Sequence, residues 1–145
     1  MKDTVKLEQV TVTAKKVLKE DKSVVPMQSV TRIELDRISG TNAADAIKNF
    51  SGVTIKDYGG IGGLKTVMVR SLGANHTGVY MDGVQFSDVA TGQVDLGRIN
   101  TDNADEVSLI IGQSTDYCLP ARFYASASVV NINSVVPDFN NKKAR

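Results

Sequence analysis

The chain has 145 residues, with 17 Lys or Arg against 16 Asp or Glu, so its formal net charge is +1. This balance creates no strong field for nucleic acid or an anionic membrane, and the length predicts one domain with its own core. A single cysteine, Cys118, excludes an internal disulfide. No stretch approaches the roughly 18 consecutive apolar residues of a membrane helix.

The first 24 residues carry dense charge and few core-forming side chains, so we expect them to be flexible. Within them, residues 10–13 (VTVT) alternate β-branched side chains. Taken alone, this pattern indicates an edge strand or a disordered tail. Pro26 marks the entry into folded structure. Residues 28–33 then predict the first core strand, and residues 34–38 a single helical turn.

The most secure helix is predicted for residues 43–50, where Ala43, Ala46, Ile47 and Phe50 share one face. Thr41 and Asn42 precede it with N-cap chemistry, and Ser51-Gly52 ends it. A mostly β region follows. It consists of strands at residues 53–56 and 64–70 around a glycine loop, and then a hairpin of residues 78–81 and 84–86 closed by Asp82-Gly83.

After the hairpin the sequence is polar and rich in turns, with a short turn expected at residues 95–99. Residues 107–111 predict a central strand, residues 125–134 the last strand, and residues 137–145 a tail.

Nothing in the sequence indicates a catalytic or metal site. The loop YGGIGG at residues 58–63 has neither the Lys-Ser/Thr pair of a P-loop nor a helix after it, and a plain tight loop explains its glycines as well as a ligand contact does. The single histidine, His76, has no partners at zinc or triad spacing. We therefore expect no enzyme, no metal and no cofactor.

Several motifs stand in a recognisable order: SGVTIKDYGG with its Gly52-Val53 step, LKTVMVRSLGANHTGVYMDGV with Val69-Arg70, and Asp82-Gly83-Val84. Over most of the chain this order resembles the plug domain of the TonB-dependent outer-membrane receptors, and within that family it is most similar to cobalamin-type receptors. The resemblance implies an α+β fold with a small mixed β-sheet flanked by short helices and loops. It also implies a flexible segment at 1–24, a plug at 25–136, and a linker at 137–145.

A plug occludes a transmembrane β-barrel, so the resemblance implies that the chain is a fragment from the outer membrane of a Gram-negative bacterium. A barrel of about 22 strands with ~10 residues each needs ~220 residues in strands alone. The start MKDTVKLEQV also lacks the apolar region of a signal peptide. The implied partners are the barrel, the periplasmic domain of TonB and a small-molecule or glycan substrate, with no nucleic acid.

The resemblance also assigns functional residues. A TonB box, which pairs with TonB as an added strand, is implied at Glu8, Gln9, Val10, Thr11, Val12, Thr13 and Ala14. Substrate contacts are implied at Tyr58, Gly59, Gly60, Ile61, Gly62, Phe86, Asp88 and Gln93.

Two motifs of the chain depart from the family pattern. The usual Arg-Gly after the second strand is Arg70-Ser71, and the usual Ile-Arg-Gly-Pro is Ile110-Ile111-Gly112-Gln113. The family's docking arginine therefore has no counterpart at Ile111, and Arg122 is a candidate replacement.

Two other function classes stay open on the sequence alone. A free-standing periplasmic binding module with the same fold would have a stop codon after Arg145, whereas a receptor would continue into hundreds of residues of alternating strands. A small periplasmic hydrolase lacks any set of nucleophile, base and orienting group. Turnover of an ester or glycoside that His76→Ala abolishes would support the hydrolase.

We predict that trypsin cuts first in the charged N-terminal segment, at Lys15, Lys16, Lys19 or Lys22, because these residues have no core face. Mass spectrometry of a limited digest measures the order of cleavage. Early cleavage between residues 43 and 84 would contradict the domain boundary.

Overall fold

A computed structural model describes residues 25–40, 42–60, 62–88, 91–114 and 119–137. Its strands are β1 Met27–Thr31, β2 Val53–Asp57, β3 Lys65–Val69, β4 Thr77–Met81, β5 Val84–Phe86, β6 Ala104–Ile111 and β7 Ser128–Ser134. Its α-helices are α1 Arg32–Leu35, α2 Ala43–Ile47 and α3 Ala121–Ala125, and its 3₁₀ helices are Ala74–His76 and Leu96–Arg98. No helix in these ranges is long and apolar enough to cross a membrane. The predicted flexible segment and TonB box, Thr41, Ile61, Cys118 and residues 138–145 lie outside the described residues.

The larger sheet has five strands in the order β1-β6-β7-β4-β5. Strand β7 pairs antiparallel with β6 and parallel with β4, so the sheet is mixed. Strands β2 and β3 form a separate antiparallel pair. This combination of short helices with a mixed sheet confirms the predicted α+β class.

One face of the five-stranded sheet packs against α2 and the β2–β3 pair to form the main core. Ile47 of α2, Val69 of β3 and Leu109 of β6 belong to this cluster and are fully or almost fully buried. The opposite face carries a smaller cluster beneath α3, in which the rings of Tyr80 and Phe123 lie 5.0 Å apart. Burial raises the pKa of the Tyr80 hydroxyl, and the positive charge of Arg122 partly opposes this rise.

The two sheets are held together by a side-chain clamp at the start of β2. The Gln28 amide in β1 donates to the Ser51 carbonyl at 3.1 Å, and the Ser51 N–H donates to the Gln28 oxygen at 2.7 Å. This reciprocal pair fixes the position of the β2–β3 hairpin relative to β1.

The predicted hairpin at Asp82-Gly83 is confirmed. Both residues have positive φ, 50° and 82°, as a two-residue turn between β4 and β5 requires. The Asp82 carboxylate also accepts the Ser134 hydroxyl at 2.6 Å and the Ser134 N–H at 2.8 Å. These two hydrogen bonds lower the pKa of Asp82 and tie the turn to the end of β7.

The boundary predicted between the first strand and the first helical turn was wrong by two residues. Strand β1 ends at Thr31, and α1 begins at Arg32 rather than Glu34. The cause is local, since the Glu34 carboxylate accepts both the N–H and the hydroxyl of Thr31, at 2.9 and 3.1 Å. These bonds lower the pKa of Glu34 and start the helix early.

Several other element boundaries differ from the sequence prediction, and three of them concern α2, β6 and β7. Helix α2 ends at Ile47 instead of continuing to Phe50, although Phe50 still packs in the core. Strand β6 begins at Ala104, three residues before the predicted start. The last strand begins at Ser128 because helix α3, which the sequence prediction missed, occupies Ala121–Ala125.

We predict that Ile47→Ala lowers the free energy of unfolding by about 2–5 kcal/mol, because Ile47 is 0% exposed and the smaller side chain leaves a cavity. Urea unfolding followed by circular dichroism measures the loss. The matched control is Ile33→Ala, which removes the same atoms from a side chain that is 67% exposed and should change stability by at most about 0.5 kcal/mol. Equal losses in the two variants would contradict the assigned core.

Candidate functional site

The glycine loop joins β2 to β3, whose last register pair is Asp57 with Lys65. One oxygen of the Asp57 carboxylate, Oδ1, accepts the N–H groups of Gly59 at 3.0 Å and Gly60 at 3.1 Å. Such a carboxylate turn uses an acidic side chain to hold the local backbone. The loop therefore has a defined shape that its own residues impose.

Two of the loop glycines are required by geometry. Gly60 has φ of 60°, a conformation that glycine adopts without steric cost. Gly63 passes so close to Gly59 that a Cβ atom on Gly63 would lie 2.6 Å from the Gly59 carbonyl carbon. The loop therefore needs glycine for two reasons: positive φ at Gly60, and the close approach of the backbone at Gly63 to that at Gly59.

Asp95 connects this hairpin to the 3₁₀ helix Leu96–Arg98. Its Oδ1 atom accepts the N–H of Lys65 at 3.0 Å and the N–H of Gly97 at 3.0 Å. Its Oδ2 atom lies 3.4 Å from Nε of Arg98. A single carboxylate, 17% exposed, therefore positions β3, the 3₁₀ helix and an arginine side chain together.

A cavity of about 550 Å³ lies between the glycine loop and the 3₁₀ helix. Its polar side chains belong to Asn42, Asp57, Lys65, Asp95 and Arg98, and the backbone of several glycines completes the lining. A second cavity of about 300 Å³ is lined in part by Met81, Phe86, Arg98 and Asn103. Arg98 lines both cavities, and its side chain is 85% exposed.

The structure brings together some of the residues that the resemblance assigned to substrate contact. Gly60 and Gly62 line the first cavity, and Phe86 lines the second. Gly59 lies in the same loop, and Tyr58 projects from it with 62% of its surface exposed.

Asp88 and Gln93 line neither of these two cavities. The Asp88 carboxylate accepts the Thr91 hydroxyl at 2.8 Å, and the Asp88 N–H donates to the Gln93 carbonyl at 3.3 Å. These two residues form the base of a loop of their own.

Lys65, Asp95 and Arg98 were not among the site residues predicted from the sequence. Asp95 and Arg98 were expected only to form a turn, and Lys65 only to lie in a strand. The spacing of an aspartate two residues before a glycine is typical of a carboxylate capping a short helix. That signal locates the turn, but the contact between Asp95 and Lys65 spans 30 residues and has no local signature.

In the described part of the chain, no three His, Cys, Asp or Glu side chains are grouped as a metal site would need.

The family model described as TonB-dependent Receptor Plug Domain matches residues 19–117. The chain belongs to this family. Plug domains are parts of receptors that take up substrates, not of enzymes, and the resemblance stated from the sequence is thereby confirmed.

Two relatives are vitamin B12 transporters named BtuB. The one from Vibrio vulnificus is 30% identical over 104 residues, which are 71% of this chain and 17% of the relative. The one from Vibrio cholerae serotype O1 is 24% identical over 118 residues, 81% of this chain and 18% of the relative. The chain therefore spans less than a fifth of the length of these transporters.

Solved receptor structures share the fold. The siderophore receptor PirA from Acinetobacter baumannii matches with a TM-score of 0.61 and 18% identity, over 88% of this chain and 19% of PirA. The ferric-catecholate import receptor Fiu from E. coli K12 matches with a TM-score of 0.56 and 22% identity, over 81% of this chain and 15% of Fiu. At these identities the likeness establishes architecture alone.

We predict that Gly63→Ala destabilises the chain, because its Cβ would overlap the Gly59 backbone and force the glycine loop open. The expected loss is about 1–3 kcal/mol in urea unfolding. Amide resonances of Gly59, Gly60 and Gly97 should shift at the same time.

Gly73→Ala is the matched control, since an added Cβ there meets nothing within 4 Å and its φ of −59° suits any residue. This variant should be neutral or slightly more stable than the original chain. A Gly63→Ala variant as stable as Gly73→Ala would contradict the crossing described for the loop.

Proposed function

We propose that this chain is the gate of a TonB-dependent outer-membrane transporter, closing the barrel until TonB couples energy to uptake. The observation that carries the proposal is the family match over residues 19–117. The proposed domain limits are 25–136 for the plug, 1–24 for a flexible segment that reaches TonB, and 137–145 for a linker to the barrel.

Polar surface on the plug supports a position inside a barrel lumen. On the sheet face that carries α3, Asn131 donates to the Asn133 side chain at 3.2 Å, and Asn133 donates to Glu106 at 3.4 Å. These three side chains are half-buried, so part of each is exposed. The lumen of an outer-membrane barrel is polar, so a strip of amide and carboxylate groups suits contact with its wall. The proposed location is therefore the outer membrane of a Gram-negative bacterium.

The cavities around Arg98 support a role in substrate contact. Relatives of this chain are named for vitamin B12, and a receptor of the same fold for ferric catecholate, so a corrinoid or an iron siderophore fits the proposed small-molecule substrate. The glycan implied by the resemblance stays a third candidate. The proposed contacts are those implied by the sequence in the glycine loop and the loop after β5. Arg98 is added to them because it lines both cavities.

Coupling to TonB is proposed for residues 8–14, which lie outside the described residues. The sequence EQVTVTA has the alternating β-branched side chains of a strand that can pair with an exposed sheet edge. In such pairing the main-chain hydrogen bonds supply most of the affinity. The backbone of the segment therefore matters more than its individual side chains.

We predict that Val12→Pro weakens binding of the 145-residue chain to the periplasmic domain of TonB by about tenfold or more, because proline removes an amide donor and fixes φ. Val12→Thr keeps the β-branched shape and should bind as the original chain does. Isothermal titration calorimetry with the purified TonB domain measures both affinities. In the full-length receptor, Val12→Pro should abolish energised uptake while substrate still binds.

Two results would count against this function. Equal TonB affinity of the proline and threonine variants would remove the TonB box from residues 8–14. An original chain that does not bind TonB at all would remove the coupling itself. The amide spectrum of each variant, compared with that of the original chain, serves as the control for folding.

A further inference from the structure

The acceptor atoms in the larger cavity are mostly occupied by the protein's own backbone. Oδ1 of Asp57 holds two N–H groups of the glycine loop, and both oxygens of Asp95 are engaged, with Lys65, Gly97 and Arg98. Oδ1 of Asn42 accepts the Asp45 N–H at 3.0 Å, as the N-cap of α2. Most acceptor oxygens of these side chains are therefore bonded to the protein itself and help to shape the cavity.

The donor groups in the same cavity are not occupied. Among the described residues, the Lys65 ammonium makes no hydrogen bond or ion pair, and the Asn42 amide nitrogen donates to none. Arg98 uses Nε toward Asp95, and its two terminal nitrogens have no partner among the residues that the structure describes. The stem of Lys65 lies against Gly97, where an added Cβ would come within 3.4 Å of its Cγ and Cδ atoms. The Lys65 stem therefore packs against the 3₁₀ helix that also bears Arg98.

We propose that this cavity binds an anionic oxygen group of the substrate, a carboxylate or a phosphate, through Lys65 and Arg98 with the Asn42 amide as a third donor. The planar guanidinium fork of arginine matches the two oxygens of either group, and the lysine ammonium adds a point charge. Asp95 is the positioning residue, because its bond to Nε orients the open end of Arg98. This inference rests on the proposed function. It narrows the proposed substrate to a corrinoid, siderophore or glycan that carries a carboxylate or a phosphate.

The two carboxylates of the cavity set the selectivity. Asp57 and Asp95 balance the charges of Lys65 and Arg98, so the empty cavity does not attract every anion in solution. Oδ2 of Asp57 accepts no hydrogen bond from another described residue, and it would accept a hydroxyl of the same ligand. A hydroxycarboxylate or a phosphate with its own hydroxyl therefore matches the donor and acceptor pattern best.

The test uses the ¹⁵N-labelled 145-residue chain titrated with citrate, inorganic phosphate and trimethyl citrate at constant ionic strength. Trimethyl citrate keeps the carbon skeleton and hydroxyl of citrate and removes its three charges. We expect citrate or phosphate to shift the amide resonances of Gly60, Gly62, Gly63 and Gly97 in a saturable way, and trimethyl citrate to shift none of them. The anion that binds more tightly shows whether the cavity prefers a carboxylate or a phosphate.

Arg98→Gln and Lys65→Gln should each weaken the binding of that anion by about tenfold, the usual effect of losing one charge-assisted hydrogen bond. Lys56→Gln is the matched control, because it removes the same charge from the same hairpin at an exposed position outside the cavity lining. It should leave the affinity unchanged.

Three results would overturn the anion site: no saturable shift with either anion, equal binding of citrate and trimethyl citrate, or equal weakening by Lys56→Gln. The second of these would leave the glycine loop as a contact for neutral substrates. None of them affects binding to TonB, so failure of the anion site and failure of the plug function are separate outcomes.

Discussion

The central position of β7 is the constraint on which the rest of the structure depends. Strand β7 pairs antiparallel with β6 and parallel with β4. Parallel neighbours need a long connection, and here it runs from Met81 to Ser128 through β5, the 3₁₀ helix Leu96–Arg98, β6 and α3. That connection returns residues 95–98 to the edge of the β2–β3 hairpin. The cavity beside the glycine loop is therefore a consequence of the path that this connection takes between β4 and β7.

The hairpin itself belongs to a different sheet, so its position depends on side chains. Gln28 holds it at its base through Ser51, and Asp95 holds it near the loop through Lys65. Asp95 also fixes Arg98, and so the same carboxylate connects the packing of the domain to the electrostatics of the cavity. In the proposed anion site, this contact would orient the Arg98 side chain before a ligand arrives and would lower the ordering cost of binding.

Local patterns in the sequence were sufficient for the hairpin at Asp82-Gly83, for the start of α2 and for the family motifs, because each depends on residues close together in the chain. They were insufficient for α3, whose burial rests on Phe123 packing against Tyr80 from another part of the sheet. The lining of the larger cavity shows the same division. Gly60 and Gly62 were assigned to substrate contact by the family resemblance, whereas Lys65 and Arg98 are brought to the same cavity through the Asp95 contact, which spans 30 residues.

The most direct test of the central claim, that the fold presents a preorganised cavity to the substrate side of a receptor, is a cryo-EM structure of the full-length receptor. The account predicts that the described domain fills the barrel with its sheet order unchanged. It also predicts that the glycine loop and Arg98 open into the extracellular vestibule while Asp95 still bridges Lys65 and Arg98. A domain found outside the barrel, or a cavity filled by side chains of the barrel wall, would contradict the account.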